Sequence, residues 1–381
     1  MKALLITSRW PWPPHTGDRV RTHAWIDALK SRSEVTLLAP PGEVPASEPT
    51  SALHIVATST SPWRLATDAL ALVRRGLPLT ALLAAGRDWA GAVAEAERRY
   101  GPFDVAVVLL GRLEPWVGAH VHARRRLLDA IDALGANLAE RAHQASWPAS
   151  ALWRVESRRM VRLEAGIARR WDGVVVVAPA EAQAFGAGAV AIPHGVEIAP
   201  LPGVVRTFDI GFWGRLAYFA NRDAARRLLD EIWPRIRAAR PGATLLIAGA
   251  DAPGFVRAAD GRDGITVASP IADRRAWTSR VRVALFPVRF GTGQANKVME
   301  AAESGCAVVT TPEGIRGLPE LAAEAVVASA PAVLADAVIS LLQDPVAAEL
   351  AGQRLRGAVV AHYDRAAAGR SLAEAAFSGL E

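Results

Sequence analysis

Short, nearly unbroken apolar runs alternate along this chain with longer stretches whose apolar positions recur every three or four residues. That alternation is expected of parallel strands covered by amphipathic helices. In the first half the runs predict strands over residues 3–7, 35–39, 53–57, 105–110, 127–131 and 174–177. The spacing between them predicts helices over 22–31, 63–74, 90–100 and 151–170. In the last of these Trp153, Met160 and Ile167 fall on one stripe.

Near residue 195 the periodicity stops, and residues 193–195 and 200–203 are rich in proline and glycine. A second series follows, with strands over 209–213, 244–248, 265–268, 283–286 and 307–310. Residues 221–239 read as a helix with Asn221 as N-cap, a stripe of Ala225, Leu228, Ile232, Trp233 and Ile236, and a kink at Pro234. From Pro331 the pattern is helical to the end. The fold class is α/β, with two domains in tandem and a cleft between them. In open parallel sheets ligands sit beyond the carboxyl ends of the strands, so polar and glycine residues there are the candidates for chemistry.

Length agrees with two domains: 381 residues exceed one core at about 150 residues per domain. With 51% hydrophobic and 22% charged residues the chain is neither disordered nor fibrous. Its apolar runs fall short of the roughly 18 residues of a membrane span. The opening run stops before Arg9, too short for a signal peptide, so a cytoplasmic protein is expected. One cysteine, Cys306, excludes a disulfide framework and a thiolate zinc site and reads as core. Net charge is +6, and only Lys2, Lys30 and Lys297 of the basic residues are lysine. Arginine runs at 124–126, 158–159 and 169–170 read as solvated helix faces, or as contacts to phosphate, an anionic membrane or nucleic acid. No nucleic-acid motif accompanies them, and none is expected as partner.

The richest segment is FPVRFGTGQANKVME, residues 286–300. A strand gives way to Arg289, Gly291, Thr292 and Gly293, and then to a helix carrying Lys297 and Glu300. Glycines admit a ligand to the backbone, and a helix amino end favours an anion. Glu300 suits a vicinal diol such as a ribose. The segment reads as a nucleotide-diphosphate pocket, or as a tight turn with a solvated helix face. In GFWGR, Gly214 permits close approach and Arg215 suits a phosphate, or is a surface arginine after a strand. The loop SRWPWPPHTGDRVRTHAW offers Arg9, His15, Gly17, Asp18, Arg21 and His23 as an acceptor lip, or simply as polar loop residues. Asp129 and Asp132 follow a strand and read as base or hydroxyl-orienting groups, or as a cap and turn. His194 reads as hinge packing, and Glu313 and Gly314 as another ligand-facing turn. No spacing makes a metal motif.

Three stretches carry a resemblance. They are TGDRVRTHAWIDAL after the first strand, DIGFWGRLAYFANRDAARRLLDEIWPRIRAARPGATLLIAGA, and GTGQANKVMEAAESGCAVVTTPEGIRGL. Together they resemble the family-four retaining glycosyltransferases of GT-B fold, most of all bacterial exopolysaccharide-type sugar transferases. The resemblance implies two Rossmann-like domains facing across a cleft: an acceptor domain over 1–195, an NDP-sugar donor domain over 196–360, and a final helix over 361–381 crossing back onto the first. It places the donor ribose at Glu300, the diphosphate at Arg215 and Lys297, the loop of Gly291, Thr292 and Gly293 beside it with Gly214 and Arg289, and Gly17 on the phosphate from the other domain. Acceptor contacts fall to His15, Asp18, Arg21 and Asp129.

The implied chemistry is metal-independent transfer, without cofactor, from an NDP-sugar to a glycan, a polyprenyl-linked glycan or a small molecule, with peripheral contact at an anionic membrane. Arg215, Lys297 and Asp132 form the catalytic set, Asp132 orienting the acceptor hydroxyl. Two departures stand out. Many relatives carry two glutamates eight positions apart; here Glu300 is the second and Thr292 holds the first position. Many also have a histidine near Ile131, where this chain has Asp129 and Asp132. A GT-B epimerase and a non-catalytic two-lobed sugar-binding protein are the alternative readings.

Overall fold

The computed structural model describes residues 1–14, 16–45, 53–201, 203, 205–270, 273–290 and 294–380. The chain divides into two compact units, Met1–His194 with the segment from Ala366 onward, and Gly195–Arg365.

In the first unit the described strands are β1 (Lys2–Ile6), β2 (Glu34–Ala39), β3 (Leu53–Ala57), β4 (Val105–Leu109), β5 (Arg125–Ile131), β6 (Gly173–Val176) and β7 (Ala189–Ala191). They form one parallel sheet in the order β3-β2-β1-β4-β5-β6-β7. Both faces are covered, which is why β4, and β1 after Lys2, are apolar at every position rather than at alternate ones. Ala3, Leu5, Val35 and Val107 pack on one face with Trp25, Leu29, Leu372 and Phe377. Leu4, Ile6, Ala106 and Val108 pack on the other with Trp89, Val93, Met160 and Ile167.

In the second unit the described strands are β8 (Phe208–Trp213), β9 (Leu245–Ala248), β10 (Ile265–Ala268), β11 (Val281–Phe286), β12 (Ala307–Thr310) and β13 (Val326–Val327). Their order is β10-β9-β8-β11-β12-β13, again parallel. The direction of winding reverses between β8 and β11, so a crevice opens at their carboxyl ends.

Three local outcomes differ from the sequence reading. Tyr218, not Asn221, caps the helix Phe219–Arg227; the Asn221 side chain is engaged elsewhere. Ahead of Pro234, residues Leu228–Ile232 widen into a π-helical turn. Proline has no N–H to give and crowds the preceding turn, and the wider turn accommodates both. Lastly, the return to the first unit comes at Ala366 rather than 361. Tyr363 is still buried in the second core, with its hydroxyl on Glu320. The helix Arg365–Phe377 then contributes Leu372, Ala376 and Phe377 to the first core, and Arg125 Nε donates to the Ala375 carbonyl at 3.0 Å. Among the described residues no helix is long and apolar enough to cross a membrane.

Candidate functional site

At the switch point of the second unit, β8 ends at Trp213 and the chain turns at Gly214, with φ 148°. Only glycine adopts that backbone readily. A Cβ on Gly214 would sit 2.8 Å from Asn221 Nδ2. One strand over, Gly249 follows β9 with the same φ, and a Cβ there would lie 1.7 Å from the Gly214 carbonyl oxygen. The two glycines let the turns after β8 and β9 touch backbone to backbone. Gly249→Ala is therefore expected to cost about 1–3 kcal/mol in strain alone and to displace the Gly214–Arg215 turn. Urea unfolding checks the first effect, and UDP titration the second.

Asn221 joins this turn to the helix Asn296–Glu303. Its Nδ2 donates to the Arg215 carbonyl at 3.0 Å, and its Oδ1 accepts from Lys297 Nζ at 2.8 Å. Lys297 lies in the first helical turn, and its ammonium sits 5.6 and 5.4 Å from the ring centroids of Phe212 and Phe286. Burial pushes Lys297 down to about 8, opposed by the Glu300 carboxylate. Glu300 accepts from Trp213 Nε1 at 3.2 Å. An ammonium against two aromatic faces and one neutral amide oxygen is poorly solvated, and among the described residues two of its three N–H bonds meet no hydrogen-bond acceptor. An incoming anion supplies what water no longer does.

Arg215 is more exposed. Its Nε meets Asp251 at 2.9 Å, and both side chains are over half accessible, so solvent weakens the pair and the guanidinium can exchange partners. Arg289 fares differently. Both Nε, at 2.9 Å, and Nη2 bind the Asp223 carboxylate. Its charge is met within the unit by a two-pronged pair, on a side chain that stays half exposed. The expected contacts at Gly291, Thr292 and Gly293 lie outside the described residues. Across β12, Thr310 Oγ1 donates to the Phe286 carbonyl at 3.0 Å, Thr311 Oγ1 donates to Val288, and Gly314 N donates to Thr311 Oγ1 at 3.1 Å. The turn holding Glu313 is thus tied to the end of β11. Cys306 is core, its thiol pushed up to about 12 by burial.

In the first unit two expectations fail. Arg21 and Asp129 are fully buried and bind each other, Nε to Oδ2, at 2.6 Å. Trp25 Nε1 donates to the same oxygen at 2.6 Å, Arg21 Nη1 donates to the Pro193 carbonyl at 3.0 Å, and the Ile131 amide donates to Asp129 Oδ1 at 2.9 Å. Neither side chain has a face for an acceptor. The pair ties the first helix, β5 and the chain's exit from the unit into one network.

Gly17 opens the helix Gly17–Lys30 and is partly exposed. Asp18 lies in its first turn, where its charge complements the helix dipole. It accepts from Thr16 Oγ1 at 2.6 Å and Arg9 at 3.0 Å. His15 lies outside the described residues. His194 is buried. Asp132 is half-buried just past β5, and burial, followed by the Glu181 and Asp129 carboxylates, raises its carboxyl to about 7. Glu164 is raised to about 7 as well, chiefly by burial. A carboxyl tuned near neutrality at a strand end, as Asp132 is, suits proton exchange with a hydroxyl, whereas Glu164 lies within the helix Ala149–Arg170.

The structure thus gathers Gly214, Arg215, Lys297 and Glu300 around Asn221. Sequence reasoning gave Asn221 a capping role and did not single out Gly249 or Trp213. The signal for Gly249 was its place right after a predicted strand, in IAGA.

Residues 207–344, which hold all of these groups, match the family model of glycosyl transferases group 1. The second unit matches the group 1 glycosyltransferases over most of its length. Solved structures similar in fold to the whole chain are glycosyltransferases of the GT-B fold. Anabaena HepE, in complex with UDP, superposes with a TM-score of 0.67 at 14% identity over 98% of this chain and 99% of that one. Sucrose-phosphate synthase from Thermosynechococcus elongatus gives 0.71 at 18% identity over 98% of each. TarM of S. aureus, solved with UDP and alpha-GlcNAc-glycerol, gives 0.69 at 9% identity over 99% of this chain and 100% of that one. Identities this low are a likeness of fold. No curated protein matches the sequence. The second unit thus carries its partly desolvated lysine where β8 and β11 part.

Proposed function

We propose that this protein transfers a sugar from an NDP-sugar to an acceptor hydroxyl, on a glycan, a polyprenyl-linked glycan or a small molecule, with retained anomeric configuration. The observation that carries the reading is the Lys297 ammonium, held by Asn221 rather than by a carboxylate, at the switch point of the group 1 domain. UDP in the structure of Anabaena HepE supports the choice of ligand.

The bond that breaks joins the anomeric carbon to the terminal phosphate oxygen, and both electrons leave with the diphosphate. Lys297 and Arg215 meet that charge at fixed positions, with the amino end of the helix Asn296–Glu303 behind them. In our reading these cations take the part a metal plays elsewhere, and Gly17 with the loop at 291–293 contributes backbone N–H groups. Glu300 takes the ribose hydroxyls. The acceptor oxygen attacks on the face the phosphate leaves, and its proton passes to the departing oxygen. Asp132 orients the hydroxyl, and Asp18 is a second contact for the acceptor. An anionic membrane surface is where we place a lipid-carried acceptor.

A thermal-stabilisation screen of NDP-sugars tests donor binding without an acceptor. Selective stabilisation by one nucleotide family, followed by NMR of the product's anomeric centre, supports the reading; indifference to every nucleotide rejects it. Lys297 adds a pH signature. Above about 8 the free ammonium loses its proton, while a bound diphosphate keeps it on. UDP affinity is expected to fall as pH rises past that value, by up to about tenfold per unit. Calorimetry in buffers of different ionisation heat should register the matching proton uptake.

A further inference from the structure

A broad depression of about 750 Å³ lies in the first unit, a volume ordinary for a small-ligand site. Arg75, Arg126, Arg159, Arg162, Arg169 and Arg170 line it, against one carboxylate, Glu114. Glu114 is buried and accepts from Arg170 Nε at 2.9 Å. Arg159 lies 3.6 Å from Glu156, and Arg126 Nη2 donates to the Arg170 carbonyl at 2.7 Å. Among the described residues no hydrogen bond or ion pair engages the guanidinium groups of Arg75, Arg162 or Arg169.

Helix-end electrostatics explain part of this. Arg169 and Arg170 close the helix Ala149–Arg170, where cations complement the dipole. Arg126 stands on β5, and Arg159 and Arg162 lie further back along the helix. The dipole accounts for none of those three. The surplus of like charge is unfavourable unless something neutralises it. Position matters too. Arg126 is at the amino end of β5, and Arg170 precedes β6, so the depression lies at the end of the sheet away from Gly17 and Asp132.

We propose that this depression binds a ligand carrying two or more phosphate groups. Guanidinium forks pair with phosphate oxygens two bonds at a time. A single phosphate leaves most of these six groups unmet. Two sources share the chemistry: a soluble oligophosphate, and the anionic headgroups of a bilayer. The helix Pro62–Arg74, which leads into Arg75, exposes Trp63, Leu70 and Val73 and could rest on a bilayer.

Calorimetry with inorganic tripolyphosphate, in a Lys297→Met background to silence the other unit, and co-sedimentation with phosphatidylglycerol–phosphatidylcholine vesicles separate the two. Each is repeated with Arg162→Ser/Arg169→Ser, whose fold is checked by thermal unfolding. Tripolyphosphate binding that weakens about tenfold or more in the double variant supports a soluble ligand. Vesicle binding that the double variant loses, with tripolyphosphate inert, supports the bilayer. Binding of neither probe, or binding that the double variant leaves unchanged, overturns the proposal.

Discussion

Replacing Lys297 with methionine is expected to lower turnover by two to three orders of magnitude while leaving the fold in place. The argument rests on solvation. The ammonium is flanked by Phe212 and Phe286 and held by a single amide oxygen, so an anion gains most of its interaction there without competition from water. Loss of one such fixed donor typically costs about 2.7–4 kcal/mol of transition-state stabilisation. Methionine keeps the length and the apolar stem against the rings, so thermal unfolding should shift little or rise slightly. Arginine is no conservative replacement, because its broad planar head does not fit a space made for a point charge. The experiment measures kcat and UDP affinity side by side. A variant that binds and turns over like the wild type removes Lys297 from the mechanism, and with it the main support for the function proposed.

Arg21→Ala should have the largest effect on stability. Arg21 and Asp129 have no exposed surface, and deleting the arginine leaves a carboxylate buried with only Trp25 and the Ile131 amide to hold it. Breaking a buried pair from one side generally costs about 3–5 kcal/mol, a large share of a domain's margin. Asp129→Ala should cost a similar amount by stranding the guanidinium. A double replacement by apolar residues, Arg21→Met with Asp129→Leu, should recover much of the loss, because no charge then remains buried. Denaturant midpoints for the three variants measure this. A mild effect of Arg21→Ala, with loss of acceptor affinity alone, would return these residues to the acceptor site.

That pair also shows where sequence reading stopped. Strands such as β1 and β11 were legible because continuous apolar runs of the right length have few other uses in a soluble chain. The edge strands β7 and β13 were not, although β3 and β10 were. β7 is three residues long with only Val190 exposed, and β13 is two residues, both exposed. For Arg21 the evidence was present and outweighed. It lies one turn before Trp25 and two before Leu29, on the stripe that packs against the sheet, but an arginine after a polar loop reads as a contact. What makes it structural is Asp129, 108 residues away. Asn221 was hidden in the same manner. Its partner Lys297 is 76 residues on, and only the adjacency of β8 and β11 brings the two together. Gly214 and Arg215 stood out because they follow a strand, and Glu300 because it lies one turn into a helix, positions that local pattern does reveal.

The helix Arg365–Phe377 gives the molecule an order of assembly. As the polypeptide emerges from the ribosome, the sheet of the first unit is made before the helix Arg365–Phe377, so the face that awaits Leu372 and Phe377 stays open until that helix is released. The later-made unit has its whole core in hand earlier. Maturation thus runs against the direction of synthesis, and a chaperone guarding nascent chains has its greatest task on the part that was translated earliest.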